Sequence, residues 1–132
     1  MTTTPPIIND QTTTLEYFKE RLRNFTRERD WDRHHTPDQL AIAISIEAAE
    51  LLEKFQWGQY NTAVPKDWAD ELADIVIYAI NFANAANIDL ASTMEAKLNK
   101  AEAKYPLSTF GPGHDQATNY WAIKKKHRAG DE

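Results

Sequence analysis

Leu40-Ala41-Ile42-Ala43-Ile44-Ser45-Ile46-Glu47-Ala48-Ala49-Glu50-Leu51-Leu52-Glu53 is the stretch that decides the fold of this chain. Thr36-Pro37-Asp38-Gln39 stands directly before it. That order supplies an N-cap, a proline in the first turn and a glutamine able to close a capping box, so a helix begins here. Leu40, Ile44, Leu51 and Phe55 continue it, and Gly58 is expected to end it. From Leu40 to Leu52 the residues are apolar or small nearly all round, apart from Ser45 and two glutamates. Such a helix expects burial on several sides. Glu47 and Glu50 therefore stand in a core-like setting, which is what makes them informative.

Working outward, Pro65 opens a second apolar helix expected to reach about Asn87, and it repeats the pattern with Glu71 and Asp74. On the amino-terminal side, Thr13 with Glu16 fits a capping box, and Leu15, Phe18, Leu22 and Phe25 carry a helix to about Arg29. Trp31 to His35 form a polar, aromatic-bearing connection. Asp89 is a candidate N-cap for a last helix with Leu90, Met94, Leu98 and Ala101 on one stripe, stopping at Tyr105-Pro106. The expected organisation is a disordered lead-in over 1–12, a helical domain over 13–106 and a loosely packed tail over 107–132. The tail holds three of the four glycines and ends in Lys124-Lys125-Lys126-His127-Arg128. The fold class is all-α, a four-helix unit. Two of its helices carry more apolar surface than one such unit covers, so a homodimer or homotetramer is expected.

At 132 residues the chain is long enough for one domain with a real core. The absence of cysteine excludes disulfides, thiol nucleophiles and thiolate metal sites, and suits a reducing, cytoplasmic setting. A net charge of −5 argues against a nucleic-acid polymer as partner. No apolar run approaches a membrane span, and the amino terminus lacks the basic-then-apolar order of a signal peptide.

The acids carry the chemistry. Residues i and i+3 of a helix lie about 60° apart, so Glu47 with Glu50, and Glu71 with Asp74, each share a face. Two such helices packed antiparallel would converge four carboxylates on one small volume. The bland reading of either pair is a solvated face, but the apolar flanks favour a bound cation. Neither helix has a basic residue inside its apolar stretch to do the pairing instead. Oxygen-only ligands point to Mg²⁺, with Mn²⁺ as the next choice, rather than zinc or copper. A di-iron or di-manganese carboxylate site is disfavoured, because none of His34, His35, His114 and His127 follows a glutamate by three.

Tyr78 and Asn81 lie seven residues after Glu71 and Asp74, on the same face. Tyr78 fits a hydrogen bond to a carboxylate or a substrate oxygen, and equally a core tyrosine. Glu53 extends the acidic row as a candidate base or as an exposed glutamate. Lys54, Lys97, Lys100 and Lys104 are candidate cations for phosphate oxygens, or a solvated lysine row. Trp31 and Trp57 sit at element boundaries, where an indole either stacks on a base or closes the core.

Several segments together resemble the MazG-like all-α nucleoside triphosphate pyrophosphohydrolases, and within them the small dCTP pyrophosphatases. They are Arg29-Asp30-Trp31, His35-Thr36-Pro37, Glu47-Ala48-Ala49-Glu50-Leu51-Leu52-Glu53, Phe55-Gln56-Trp57, Asp70-Glu71-Leu72-Ala73-Asp74-Ile75-Val76-Ile77-Tyr78 and Lys104-Tyr105-Pro106. The resemblance covers about residues 14–106. It implies cleavage between the α and β phosphates, with Glu47, Glu50, Glu71 and Asp74 as magnesium ligands. It also implies a base pocket lined by Trp31, His35 and Trp57, with Tyr78 and Lys97 near the substrate and sites at subunit contacts. Leu22 and Ala101 depart from the histidine and asparagine common in close relatives, which leaves the preferred base open. Glu50 or Glu53 is expected to orient or deprotonate the water, and lysines to stabilise the leaving pyrophosphate. The competing expectation is a helical oligomer that binds a nucleotide or metal without turnover, or whose acids pair across subunits.

Overall fold

The computed structural model describes residues 3–61 and 65–130, and among them every regular element is helical. The all-α expectation holds. The chain forms two compact units, Met1–Leu90 and Ala91–Glu132. Among the described residues no single helix is long and apolar enough to cross a membrane.

The first unit begins with a turn in which the Asn9 side chain accepts from the backbone N–H groups of Gln11 and Thr12, each at 3.0 Å. Thr13, expected to cap the first helix, instead accepts from the Asn9 N–H through its hydroxyl at 3.1 Å. The cap falls one residue later. Helix α1 spans Leu15–Glu28, and the Thr14 hydroxyl accepts from the Tyr17 N–H at 3.1 Å. Either threonine satisfies the rule that a short hydroxyl side chain pairs a free first-turn N–H.

Helix α2 spans Pro37–Glu53 and α3 spans Pro65–Ala85. Thr36 stands at the N-cap of α2, as its sequence predicts, but its side chain makes no cap hydrogen bond. The nearby Thr36 hydroxyl and, less strongly, the first-turn N–H of Gln39 hold the Asp38 carboxyl below its ordinary range. The expectation that α2 runs to Gly58 is corrected: regular helix ends at Glu53, with Lys54 as its C-cap. Beyond it Gln56–Asn61 make a 3₁₀ segment broken where Trp57 and Gly58 take positive φ of 61° and 72°. Glycine tolerates that conformation and tryptophan resists it, so the chain reverses there against local preference.

Helices α2 and α3 run antiparallel. Along their contact Glu47 meets Asp74, Lys54 meets Glu71, and Phe55 meets Trp68 with ring centroids 5.5 Å apart, so numbers rise on one as they fall on the other. Helix α1 packs on the carboxyl-terminal half of α3. The Lys19 ammonium donates to the Ile88 carbonyl at 2.6 Å, and the Asn84 amide donates to the Lys19 carbonyl at 3.1 Å.

The core is small. Leu40, Ile80 and Ala83 are its buried apolar residues, with Thr26 and Asn81 buried beside them. The expected all-round burial of α2 is not met within one chain: Ile42 and Ile46 are 52% and 53% exposed. With Ala41, Ser45 and Ala49 they line an open, mostly apolar groove. Leu72 and Val76 of α3 are exposed as well.

Helix α4 spans Leu90–Lys104 and lies in the second unit from Ala91 on, where α5 is a single turn, Leu107–Phe110, and α6 spans Gln116–Arg128. The segment after Pro106, read as a tail, thus carries a 13-residue helix. Asp115 caps α6 by accepting from the Thr118 N–H at 3.2 Å. The Tyr105 ring stacks on Tyr120 at 5.7 Å and meets Phe110 edge-on at 5.0 Å. Gly111 makes the turn between α5 and α6 feasible, because a Cβ there would lie 2.7 Å from the Leu107 carbonyl oxygen. The Lys124 ammonium donates to the Tyr120 hydroxyl at 2.8 Å and holds that phenol below its ordinary pKa.

Candidate metal and nucleotide site

The antiparallel register of α2 and α3 brings Glu47, Glu71 and Asp74 together. One carboxylate oxygen from each lies within 4.8 Å of the others. Glu47 Oε2 and Glu71 Oε2 are buried and accept no hydrogen bond. Buried carboxylate oxygens without donors are costly, and a hard divalent cation satisfies several at once. The donor set therefore fits Mg²⁺ or Mn²⁺.

Glu50 projects from the same face one turn on. The neighbouring carboxylate of Glu47 and, less strongly, that of Glu71 hold its carboxyl above the ordinary glutamate range. Glu53 is exposed. The sequence shows no basic partner inside the apolar stretches, and the structure supplies one from the helix end: Lys54 Nζ lies 3.4 Å from Glu71 Oε1. That ammonium offsets part of the repulsion among the acids.

The aromatic residues divide. Trp31 is half-exposed, packs edge-on to Phe25 at 5.6 Å, and faces the His35 ring at 6.0 Å. The His34 and His35 N–H groups both donate to the Trp31 carbonyl, which tightens the connection into a turn. Trp57 is 92% exposed, which rules out the core-packing role weighed for it within one chain. Tyr78 is half-buried on α3, one turn beyond Asp74. Lys97 and Lys104 belong to the second unit, where with Lys100, Tyr105 and His127 they line a cavity of about 720 Å³.

One feature carries no mark in the sequence motifs. Between α1, the Trp31–His35 turn and α3 lies a polar cavity of about 230 Å³ lined by Arg23, Arg27, Asp32, His35, Asn81 and Asn84. The signal that could have found it is Asn81 with Asn84, which repeat on an apolar helix the i,i+3 spacing of the acids.

Residues 42–120 match the MazG-like family. The chain is 32% identical over 114 residues to the dCTP pyrophosphatase 1 of Bos taurus, an alignment covering 80% of this chain and 68% of that protein. It is 32% identical over 101 residues to the dCTP pyrophosphatase 1 of Homo sapiens, covering 70% of this chain and 59% of that one. The crystal structure of a pyrophosphatase from Archaeoglobus fulgidus DSM 4304 superposes with a TM-score of 0.65 at 34% identity, covering 76% of this chain and 99% of that chain. Residues 42–120 include all four acids, Glu47, Glu50, Glu71 and Asp74, and the chain belongs to the MazG-like family.

Proposed function

We propose that the chain is a Mg²⁺-dependent nucleoside triphosphate pyrophosphohydrolase that cleaves a deoxynucleoside triphosphate, dCTP or a modified dCTP, to the monophosphate and pyrophosphate. The observation that carries this reading is the convergence of Glu47, Glu71 and Asp74 within 4.8 Å, with two buried carboxylate oxygens left without donors. The names of the relatives supply the substrate class.

In this reading Glu47, Glu71 and Asp74 hold the metal and Glu50 borders it. When bound, the metal neutralises phosphate oxygens and makes a water more acidic. Glu50, on the face of the cluster beside Glu47, is the better placed of the two candidate bases. It accepts the proton at a carboxylate oxygen as the water oxygen bonds to the α phosphorus. The bond from that phosphorus to the bridging oxygen breaks, and pyrophosphate leaves with the bond electrons. Trp31 and His35 line one side of the base, and Trp57 stands exposed as a second stacking surface. The exposed apolar residues Ile42 and Ile46 of α2, with Leu72 and Val76 of α3, support a homodimer or homotetramer that covers them.

The test is pyrophosphate release from a panel of ribo- and deoxyribonucleoside triphosphates, with and without Mg²⁺. Metal-dependent release of pyrophosphate with a matching monophosphate is expected, greatest for a deoxycytidine nucleotide. Release of orthophosphate alone, or no turnover at any metal concentration, overturns the reading.

A further inference from the structure

We propose that the polar cavity between α1 and α3 reads the hydrogen-bonding edge of the nucleobase, with Asn81 as the selecting residue. The inference rests on the pyrophosphohydrolase reading above and adds what that reading lacks, a group that distinguishes one base from another.

Asn81 is only 7% exposed, yet among the described residues its amide makes no hydrogen bond. Buried polar side chains are otherwise paired, so an open amide on a cavity wall points to a partner that arrives from outside. Asn84 adds a second such group. Its amide nitrogen donates to the Lys19 carbonyl, which sets the orientation of the side chain, and its buried Oδ1 is left without a donor. The remaining wall divides by charge. Arg23 is engaged by Glu16 and Glu20 at 3.1 Å each, whereas among the described residues Arg27 makes no ion pair. Arg27 thus offers donors, and Asp32 and the amide carbonyl of Asn81 offer acceptors.

Acceptors beside donors suit a heterocycle that presents an exocyclic amine next to a ring nitrogen or carbonyl. That is the edge of an amino-pyrimidine. Asp and Asn side chains are the groups that accept from such amines, and Arg is the usual donor to a base carbonyl or ring nitrogen. The volume agrees. At about 230 Å³ the cavity is below the roughly 300–1,000 Å³ of sites that hold whole ligands, and fits one ring. The position agrees as well. Asn81 follows Asp74 by seven residues, about 10 Å along α3 on the same face, comparable to the reach from the α-phosphate of a nucleotide to the far edge of its base. His35, set against Trp31, offers a ring beside the cavity for the base to lie on.

The experiment compares dCTP with dUTP, which differ along one base edge (an amine and an acceptor ring nitrogen in dCTP, a carbonyl and an N–H in dUTP), in the full chain and in Asn81→Leu and Arg27→Met. The unmodified chain is expected to prefer dCTP. Asn81→Leu should lower the ratio of kcat/KM values by about 5- to 150-fold, the range for one good base-edge contact, with KM for dCTP rising more than kcat falls. Circular dichroism checks that the variant folds. Should Asn81→Leu fail to fold, the exposed Arg27→Met decides, with a smaller loss of the same ratio. Unchanged selectivity in a folded Asn81→Leu, or in Arg27→Met where that variant decides, overturns the inference while leaving the hydrolase reading intact. If the unmodified chain turns over no nucleotide, the hydrolase reading has failed. Calorimetric binding of dCMP and dUMP then tests the cavity alone, and equal affinities overturn it.

Discussion

Removing one acid from the α2–α3 cluster should weaken the enzyme and strengthen the empty protein. In Glu71→Gln the side chain keeps its shape and loses its charge. Glu47 and Asp74 each bring an oxygen within 4.8 Å of Glu71, a repulsion of about 3.5 kcal/mol per ionised pair at an effective dielectric of 20. Lys54 at 3.4 Å from Glu71 returns about 5 kcal/mol on the same scale, less for its partial exposure. The repulsive part is the larger, and solvent screening reduces the balance to roughly 1–2 kcal/mol in favour of the neutral side chain. For a chain of this size that is a rise in Tm of about 3–8 °C. Magnesium should reverse the order. At about 100 times its Kd a ligand that binds only the folded state stabilises by about 2.7 kcal/mol, and the variant should lose most of that gain. Melting curves at one protomer concentration, with EDTA and then with saturating Mg²⁺, should therefore cross between the two proteins. Hydrolysis should fall by more than the roughly 10- to 100-fold typical of groups that only orient a metal ligand. A variant that retains both the magnesium-induced shift and near-full turnover would refute the assignment of Glu71.

Trp57→Ala should leave the Tm of the chain nearly unchanged, because the side chain is 92% exposed, and should weaken nucleotide binding by about 5- to 150-fold if the indole stacks on the base. Tryptophan fluorescence quenching by a non-hydrolysed nucleotide reads it, and normal affinity removes Trp57 from the site. Ile46→Glu places a charge on the exposed apolar groove of α2. It should dissociate the oligomer and reduce activity together, whereas sedimentation showing the unmodified chain active at its monomer mass of 15.1 kDa would end the shared-surface idea. The Glu50 carboxyl is raised by Glu47 in the metal-free cluster and lowered again by a bound cation, so if it is the base, kcat/KM should fall as pH drops and the limb should move to lower pH as Mg²⁺ is raised. Glu50→Gln should remove that acidic limb along with most of the rate. An identical limb in the variant would assign the titration elsewhere.

What the sequence made legible was what helical periodicity encodes. Pro37 and Pro65 mark helix starts, and the i,i+3 acids converge because α2 and α3 pack antiparallel. Periodicity says less where side chains act across elements. Lys54 reads as a phosphate cation along the chain, yet in space it is the counter-charge of Glu71. Helix α6 was hidden because Lys124-Lys125-Lys126 interrupts any apolar stripe, and its stability comes from the Asp115 cap and the Tyr105–Tyr120 stack instead. The burial inferred for α2 describes a property of its composition that one chain does not fulfil, since Ile42 and Ile46 remain exposed. The polar cavity leaves one trace in the sequence, the i,i+3 pair Asn81 and Asn84, while its Arg27 and Asp32 walls come from separate segments with no shared spacing.

Helix α3 runs unbroken from Pro65 to Ala85 and carries Glu71 and Asp74 at one level, Asn81 and Asn84 two turns above. The metal end and the base end of the proposed site thus stand on a single helix. A substitution at either level alters one end alone, so descendants of this chain are free to exchange their side chains there independently. A change in length is different. One residue gained or lost between Asp74 and Asn81 would swing the upper level by about 100° around the helix axis while every local contact below stayed intact. Diversification along this helix should therefore proceed by replacement, with insertions and deletions confined to the connections outside it.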